Sequence, residues 1–255
     1  MSIESVSVLG CGWLGQPLAI ALKEQGFTIL GSNRTQAKAD TLSALGIRPF
    51  VVNLASSDEI PKAFLNSDLL IIAVTSKAAD EYKRLLEQLM DHPLRKVIFV
   101  SSTSVYPDIN DIVDEQTPVS HSPLAEIEVM FREVTTLETI ILRFGGLYGY
   151  NRQPGNFFPP GKMIPNPEGY VNMIHRDDCI AIINKMIRKP FLNETFNACS
   201  DAHPSRRAFY TQEAIKMGNP VPQFDESGNR HFKIVSNAKL KNHLNYTFIH
   251  PELMD

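Results

Sequence analysis

The stretch Val6-Ser7-Val8-Leu9-Gly10-Cys11-Gly12-Trp13-Leu14-Gly15-Gln16-Pro17-Leu18-Ala19 decides the fold. Ile3 to Leu9 is a short β-branched and apolar run of strand type, and Leu14 to Gln25 carries apolar residues at helical spacing. Between them stand three glycines in a Gly-x-Gly-x-x-Gly pattern. Such a pattern is weak alone and gains meaning when it closes a strand and opens a helix, as it does here. Gly10 permits the tight turn, Gly12 lets the backbone approach a pyrophosphate with no Cβ in the way, and Gly15 allows the helix to pack closely on the strand. The helix N-terminus then offers N–H groups to the anion. Gly10, Gly12, Trp13, Leu14 and Gly15 are therefore the expected phosphate loop of a dinucleotide site, with the Trp13 side chain packing rather than contacting. The alternative, a plain strand-turn-helix, does not require three glycines at these places.

Outward from the loop, strand patterns recur at Thr28 to Gly31, Arg48 to Val52, Leu69 to Val74, Val97 to Val100 and Thr139 to Leu142. Helical patterns lie between them at Gln36 to Leu45, Pro61 to Leu65 and Asp80 to Met90. This alternation predicts βαβ crossovers and an α/β, Rossmann-type doubly wound parallel sheet. The second strand chooses the cofactor. An acidic residue about 20 positions after the loop would bind a ribose 2′-OH, and none is present. Ser32, Asn33 and Arg34 offer a hydroxyl, an amide and a guanidinium instead, which suits a 2′-phosphate, so NADP(H) is expected over NAD(H). Arg34 also has a plainer reading, as a solvated residue at a helix start. Asn53 and Leu54 after the third strand, Ala73, Val74 and Thr75 after the fourth, and Ser101 at the fifth complete the expected cofactor set.

From Arg143 to Tyr170 the chain is dense in Gly, Pro and Asn, a texture that usually shapes a binding site. Helical periodicity returns at Arg176 to Arg188, then a strand at Glu194 to Ala198, a helix near Ser205 to Met217, a strand at Phe232 to Val235 and a helix at Asn237 to His243. With no linker or repeat, the 255 residues read as one unit: a core over about 1–150 plus returning elements, and a small C-terminal substrate lobe within about 150–255. A net charge of -3 leaves no basic stripe for nucleic acid and no polybasic segment for a membrane. The most apolar run, Leu69 to Val74, is far short of the roughly 20 residues that span a bilayer. Met1-Ser2-Ile3-Glu4 has no charged n-region or apolar h-region, which predicts a cytoplasmic protein. Cys11, Cys179 and Cys199 lack metal-ligand spacing, so neither a zinc site nor a disulfide framework is expected.

Four further motifs follow in order: Phe99-Val100-Ser101-Ser102-Thr103-Ser104-Val105-Tyr106, Leu142-Arg143-Phe144-Gly145-Gly146-Leu147-Tyr148-Gly149, Asn172-Met173-Ile174-His175-Arg176-Asp177-Asp178 and Phe196-Asn197-Ala198. Together with the glycine loop they resemble the extended short-chain dehydrogenase/reductase superfamily, in its nucleotide-sugar epimerase and dehydratase group. Within that group the chain is most similar to the atypical, YeeZ-like members. The resemblance implies that Ser102 hydrogen-bonds the reacting oxygen, that Tyr148 borders nicotinamide and substrate, that His175 faces the cleft, and that Arg143 and Asp178 brace the lobe. Each has a bland counterpart. Ser101 and Ser102 can simply satisfy strand-end backbone groups, Tyr106 can pack, and His175 can be a satisfied buried histidine.

One family feature is missing. In Tyr-x-x-x-Lys the lysine lowers the tyrosine pKa so that the phenol exchanges a proton. Here the slots fall on Ser120 and Leu124 or on Ser122 and Glu126, and no tyrosine has a lysine four residues later. Asn53-Leu54 also stands where the family often has an aspartate, and the phosphate loop lacks the extra residue of most members. Two functions fit: an oxidoreductase or epimerase-like enzyme on a carbonyl or nucleotide-sugar-like small molecule, with Tyr148 or His175 as acid, or a non-catalytic NADP(H) redox sensor. Family members pair helices across a dimer, and Asp80 to Met90 with Ala125 to Glu138 are the candidates for a homodimer.

Overall fold

The computed structural model describes residues 3–159, 161–191, 193–228 and 230–254. The first part of the chain alternates β1 (Ser5–Leu9), α1 (Gly15–Glu24), β2 (Thr28–Asn33), α2 (Gln36–Ser43), β3 (Arg48–Val51), α3 (Lys62–Leu65), β4 (Leu69–Ile72), α4 (Ala79–Met90) and β5 (Lys96–Ser102). There follow β6 (Asp111–Val113), α5 (Pro123–Glu133), β7 (Glu138–Phe144), β8 (Gly146–Tyr148), β9 (Ile164–Pro165), β10 (Met173–His175) and α6 (Arg176–Ile187). The last elements are β11 (Thr195–Ala198), α7 (Arg206–Lys216), β12 (Phe224–Asp225), β13 (Lys233–Val235) and α8 (Ala238–Leu244).

Seven strands form one sheet in the order β11-β7-β5-β4-β1-β2-β3. The pairs β1–β2, β1–β4, β2–β3 and β4–β5 are parallel, as the crossover helices require. Strand order reverses at β1, which is where open α/β sheets leave a crevice beyond their carboxyl ends. Among the described residues no helix is long and apolar enough to cross a membrane.

The chain divides into two compact units, Met1–Ser101 with His121–Leu142 and Ile183–Thr195, and Ser102–Ser120 with Arg143–Ile182 and Phe196–Asp255. The first is built on buried β1 and β4, whose Val6, Val8 and Leu69 to Ile72 are almost without solvent contact. Helix α4 buries Tyr82, Leu85, Leu86 and Leu89, the i, i+3, i+4, i+7 stripe visible in its sequence. Phe131 of α5 stacks on Phe99 of β5 at 5.0 Å between centroids, and Tyr82 meets Phe99 edge-on at 5.7 Å. Rings of this size stabilise by roughly 1.5–3 kcal/mol each on burial. The predicted helix Ala125 to Glu138 is corrected at both ends: α5 begins at Pro123 behind its Ser122 cap and stops at Glu133, and Glu138 is the first residue of β7. Val134-Thr135-Thr136 is β-branched and ends the helix.

In the second unit the Gly-, Pro- and Asn-rich stretch contains only the short β8 and β9, which pair in parallel with β10 and β12, while β6 pairs with β13. Ile164 of β9 and Met173 of β10 join a cluster with Val171, Phe209, Tyr210 and Leu253, against which Tyr148 of β8 and Phe224 of β12 pack. Two buried polar groups tie this unit together. Arg143 donates to the Tyr106 hydroxyl at 2.5 Å, and that hydroxyl donates to Asn197 Oδ1 at 2.9 Å. Asp178, fully buried, accepts from the Tyr246 hydroxyl at 2.7 Å and from the amides of Ile249 and His250 at 2.7 and 3.1 Å.

His203, half-buried with Nδ1 3.3 Å from the Val171 carbonyl, has its pKa lowered by burial, against the pull of that carbonyl and of Asp201. Its folded-state value thus lies below the unfolded value of about 6.5. Between the two the unfolded chain binds more protons, so stability is full above about pH 6.5 and is lost as pH falls through that window. The urea midpoint is therefore expected to drop between pH 7 and pH 5, and His203→Gln to shrink that drop. An identical drop in the variant would refute the assignment.

Candidate functional site

The loop after β1 shows why each glycine is there. Gly10 has φ +97°, and a Cβ on it would lie 2.6 Å from Val74 Cγ1 and 2.9 Å from the Ala73 carbonyl oxygen, so the chain leaving β4 presses on the loop. A Cβ on Gly15 would run into the Gly10 carbonyl and sit 3.3 Å from Val8 Cγ1. Gly12 differs: it is exposed and nothing lies within 4 Å of its Cβ position. The N-cap of α1 is Leu14, which makes no side-chain bond into the first turn, and no acidic residue stands there. The positive end of the helix is left facing an unobstructed backbone, the arrangement that binds an anion. Cys11 in this loop is buried, and burial pushes its thiol pKa up to about 12, so it remains a neutral packing group.

Strand β2 runs two residues further than its apolar run suggests. Ser32 is fully buried, its Oγ accepts from the Gly10 amide at 3.1 Å, and its carbonyl accepts from the Cys11 amide at 2.8 Å. It braces the loop from below. The strand-end positions that face outward are Asn33, whose Nδ2 donates to the Lys38 carbonyl at 3.1 Å, and the exposed Arg34. Asn53 is exposed and its Oδ1 accepts from the Ala55 amide at 3.3 Å, while the Leu54 carbonyl accepts from Arg84 at 2.8 Å. Ala73 and Val74 are half-buried and Thr75 exposed.

Ser101 is buried and donates to Glu128 Oε1 at 2.5 Å; the Glu128 side chain is itself buried and pairs with Arg132 at 2.9 Å. Glu128 was missed in the sequence reading. Its only signal is an acidic residue inside the apolar run Ile127, Val129, Met130, Phe131. The slots of the absent Tyr-x-x-x-Lys pair are otherwise engaged, since Ser122 Oγ accepts from the Ala125 amide at 3.2 Å to cap α5 and Leu124 is buried.

The second unit holds Ser102, Tyr148 and His175. Ser102 Oγ accepts from the Ser104 amide at 3.1 Å, which leaves its own proton free to donate. Tyr148 and His175 are register partners of β8 and β10, and their rings meet edge-on at 5.1 Å. The imidazole lies against Gly149, at φ +113°, where any Cβ would overlap its Nε2 edge. Burial lowers the His175 pKa and neighbouring His250 lowers it further, while Asp177 and Asp178 pull it back. Around His175 stand Tyr150, whose ring is 5.7 Å away, and His250, at 3.8 Å between centroids.

Residues 5–120 match the family model of the NAD binding domain of 6-phosphogluconate dehydrogenase. Protein YeeZ of Escherichia coli K12 is 33% identical over 269 aligned positions, covering 98% of this chain and 97% of the relative. A conserved protein of unknown function from Silicibacter pomeroyi superposes with TM-score 0.82 at 23% identity, over 98% of this chain and 95% of that one. MoeE5 in complex with UDP-glucose and NAD superposes with TM-score 0.75 at 17% identity, over 96% of this chain and 93% of that one. At these identities the two structures speak to the fold.

Proposed function

We propose, from the premise that this chain belongs to the YeeZ family, that it is an NADP(H)-dependent oxidoreductase or epimerase-type enzyme acting on a carbonyl-bearing, nucleotide-sugar-like small molecule. One observation carries the reading: exposed Gly12 and the uncapped start of α1 meet at the strand where the sheet order reverses. Backbone amides there hold a pyrophosphate, and the match of residues 5–120 to an NAD binding domain supports it. For the 2′-phosphate, Asn33 and Arg34 supply an amide and a guanidinium, with no carboxylate at the strand end to repel it. Asn53, Leu54, Ala73, Val74 and Thr75 line the remaining nucleotide, and Ser32 and Ser101 act from behind, through Gly10 and Glu128.

When bound, the nicotinamide supplies or accepts a hydride. The chain's own task is the proton and the oxygen. Ser102 donates its free O–H to the substrate oxygen, and Tyr148 takes the part of the missing family tyrosine. His175 is the weaker candidate for that part, because its Nε2 edge is covered by Gly149. The UDP-glucose held by MoeE5 supports the sugar-nucleotide class.

The test is a fluorescence titration followed by turnover. NADPH is expected to bind at micromolar concentration and NADH more weakly, with Arg34→Ala closing the gap. Equal responses would remove the NADP(H) assignment, and no response would remove the cofactor. Screening NADPH oxidation over aldehydes, ketones and nucleotide sugars should find a substrate whose turnover falls by about 10²–10³ in Ser102→Ala and about 10²–10⁴ in Tyr148→Phe. Tight NADPH binding with no turnover on any substrate would leave the redox sensor, the reading that the absent Tyr-x-x-x-Lys pair favours.

A further inference from the structure

His175, Asp177 and His250 converge in the second unit from two distant parts of the chain. His175 ends β10, Asp177 lies in the first turn of α6, and His250 belongs to the C-terminal segment that Asp178 holds by the amides of Ile249 and His250. One donor atom from each of the three lies within 4.8 Å of the others. Asp177 Oδ2 is 3.4 Å from His175 Nδ1 and 3.3 Å from His250 Nε2. We propose that this group is a binding site for a divalent transition ion of zinc's class, held by His175 Nδ1, Asp177 Oδ2 and His250 Nε2.

Each donor atom has a contact that an ion can take over. The Asp177 amide reaches His175 Nδ1 from 3.3 Å, a long helix-capping contact that the nitrogen gives up on taking an ion. The 3.4 Å between Nδ1 and the Asp177 carboxylate is bridged by a proton on the imidazole or by a metal ion, and an ion also engages His250. Ligand bonds of about 2.0–2.2 Å place neighbouring donors about 3.3–3.5 Å apart around a tetrahedral ion, close to the two distances seen. The second carboxylate oxygen is also fixed, since the Tyr150 hydroxyl donates to Asp177 Oδ1 at 2.8 Å. Outer hydrogen bonds of this kind orient a metal-binding carboxylate.

Two imidazoles and one carboxylate suit a borderline ion better than calcium or magnesium, which prefer all-oxygen sets. The Asp177 and His250 side chains are 34% and 39% exposed, so the ion has an entry path and keeps a position for water or a ligand oxygen. Cysteine spacing predicts no zinc site, and nothing local in the sequence brings His250 to His175. The site stands whether or not the chain binds a nucleotide.

The full chain, stripped with chelator, would be titrated with Co²⁺ followed by absorption and with Zn²⁺ by calorimetry. One equivalent is expected to bind at micromolar concentration or tighter, with a visible Co²⁺ ligand-field band that Zn²⁺ abolishes. Asp177→Asn and His250→Asn should each weaken binding at least 100-fold, and Tyr150→Phe about tenfold. In the unmodified chain, Zn²⁺ should shift the imidazole NMR signals of His175 and His250 and leave the other histidines in place, a readout that needs no variant to fold. Binding no tighter than millimolar, affinity unchanged in Asp177→Asn and His250→Asn, or shifts confined to other histidines would each overturn the proposal.

Discussion

Gly12→Val is expected to lower NADPH affinity at least 100-fold while leaving the unfolding midpoint almost unchanged. The two halves of that result have separate causes. A Cβ at position 12 meets no atom within 4 Å, and the residue is exposed with no left-handed φ, so the free protein accommodates a side chain there. Surface changes of this kind stay within about 0.5 kcal/mol of neutral. In the proposed complex the same space is filled by the pyrophosphate. A branched side chain must then hold the anion off the backbone amides, and losing about 3 kcal/mol of contact corresponds to the 100-fold. Gly10 and Gly15 offer no such separation, because a Cβ at either collides with the loop or with the chain after β4 in the free protein. Fluorescence titration beside urea unfolding checks both halves. Unchanged NADPH affinity in a folded Gly12→Val would remove the phosphate loop as the nucleotide site.

That the loop was legible while much of its surroundings was not has a physical reason. Strand, glycine spacing and helix are contiguous in sequence, and the α4 stripe of Tyr82, Leu85, Leu86 and Leu89 depends only on helical period. The strand ends went astray together. β2, β5 and β7 were expected to stop at Gly31, Val100 and Leu142, where apolar character stops, and each continues for two more residues. The added residues include Ser32, Ser101 and Arg143, all buried, and each is satisfied by a partner remote in sequence: the Gly10 amide, Glu128 and Tyr106. A buried polar residue is tolerated when its hydrogen bonds are made, and partners so far along the chain cannot be read from a local window. Glu128 and His250 escaped notice for the same reason, because their meaning comes from Ser101 and from His175 and Asp177. The family motifs, by contrast, single out Ser102, Tyr148 and His175 as candidates from local sequence, and Tyr148 and His175 lie ring to ring on paired strands.

Asp178→Ala is expected to be the most destabilising of the substitutions considered, by about 3–5 kcal/mol. Asp178 is fully buried and accepts three hydrogen bonds, from the Tyr246 hydroxyl and from the amides of Ile249 and His250. Bonds to a charged acceptor contribute about 1.5–3 kcal/mol each, and removing the acceptor strands its donors in a site that water does not reach. The phenol cannot relieve the loss by ionising, because burial, the largest cause of its raised pKa, remains when the Asp178 carboxylate is gone. The consequence is directional. The carboxylate is what fastens the C-terminal segment, and Leu253 of that segment packs in the cluster of Ile164, Val171 and Phe209. Residues 246–254 should therefore become the first site of proteolysis in Asp178→Ala, with a thermal midpoint lower by about 10 °C at roughly 2–4 °C per kcal/mol. Asp178→Asn keeps the shape and one oxygen acceptor, so it should recover part of the loss. A midpoint within 2–3 °C of the parent in Asp178→Ala, with the C-terminal segment still protected, would show that packing around Leu253 holds this part of the chain without the carboxylate.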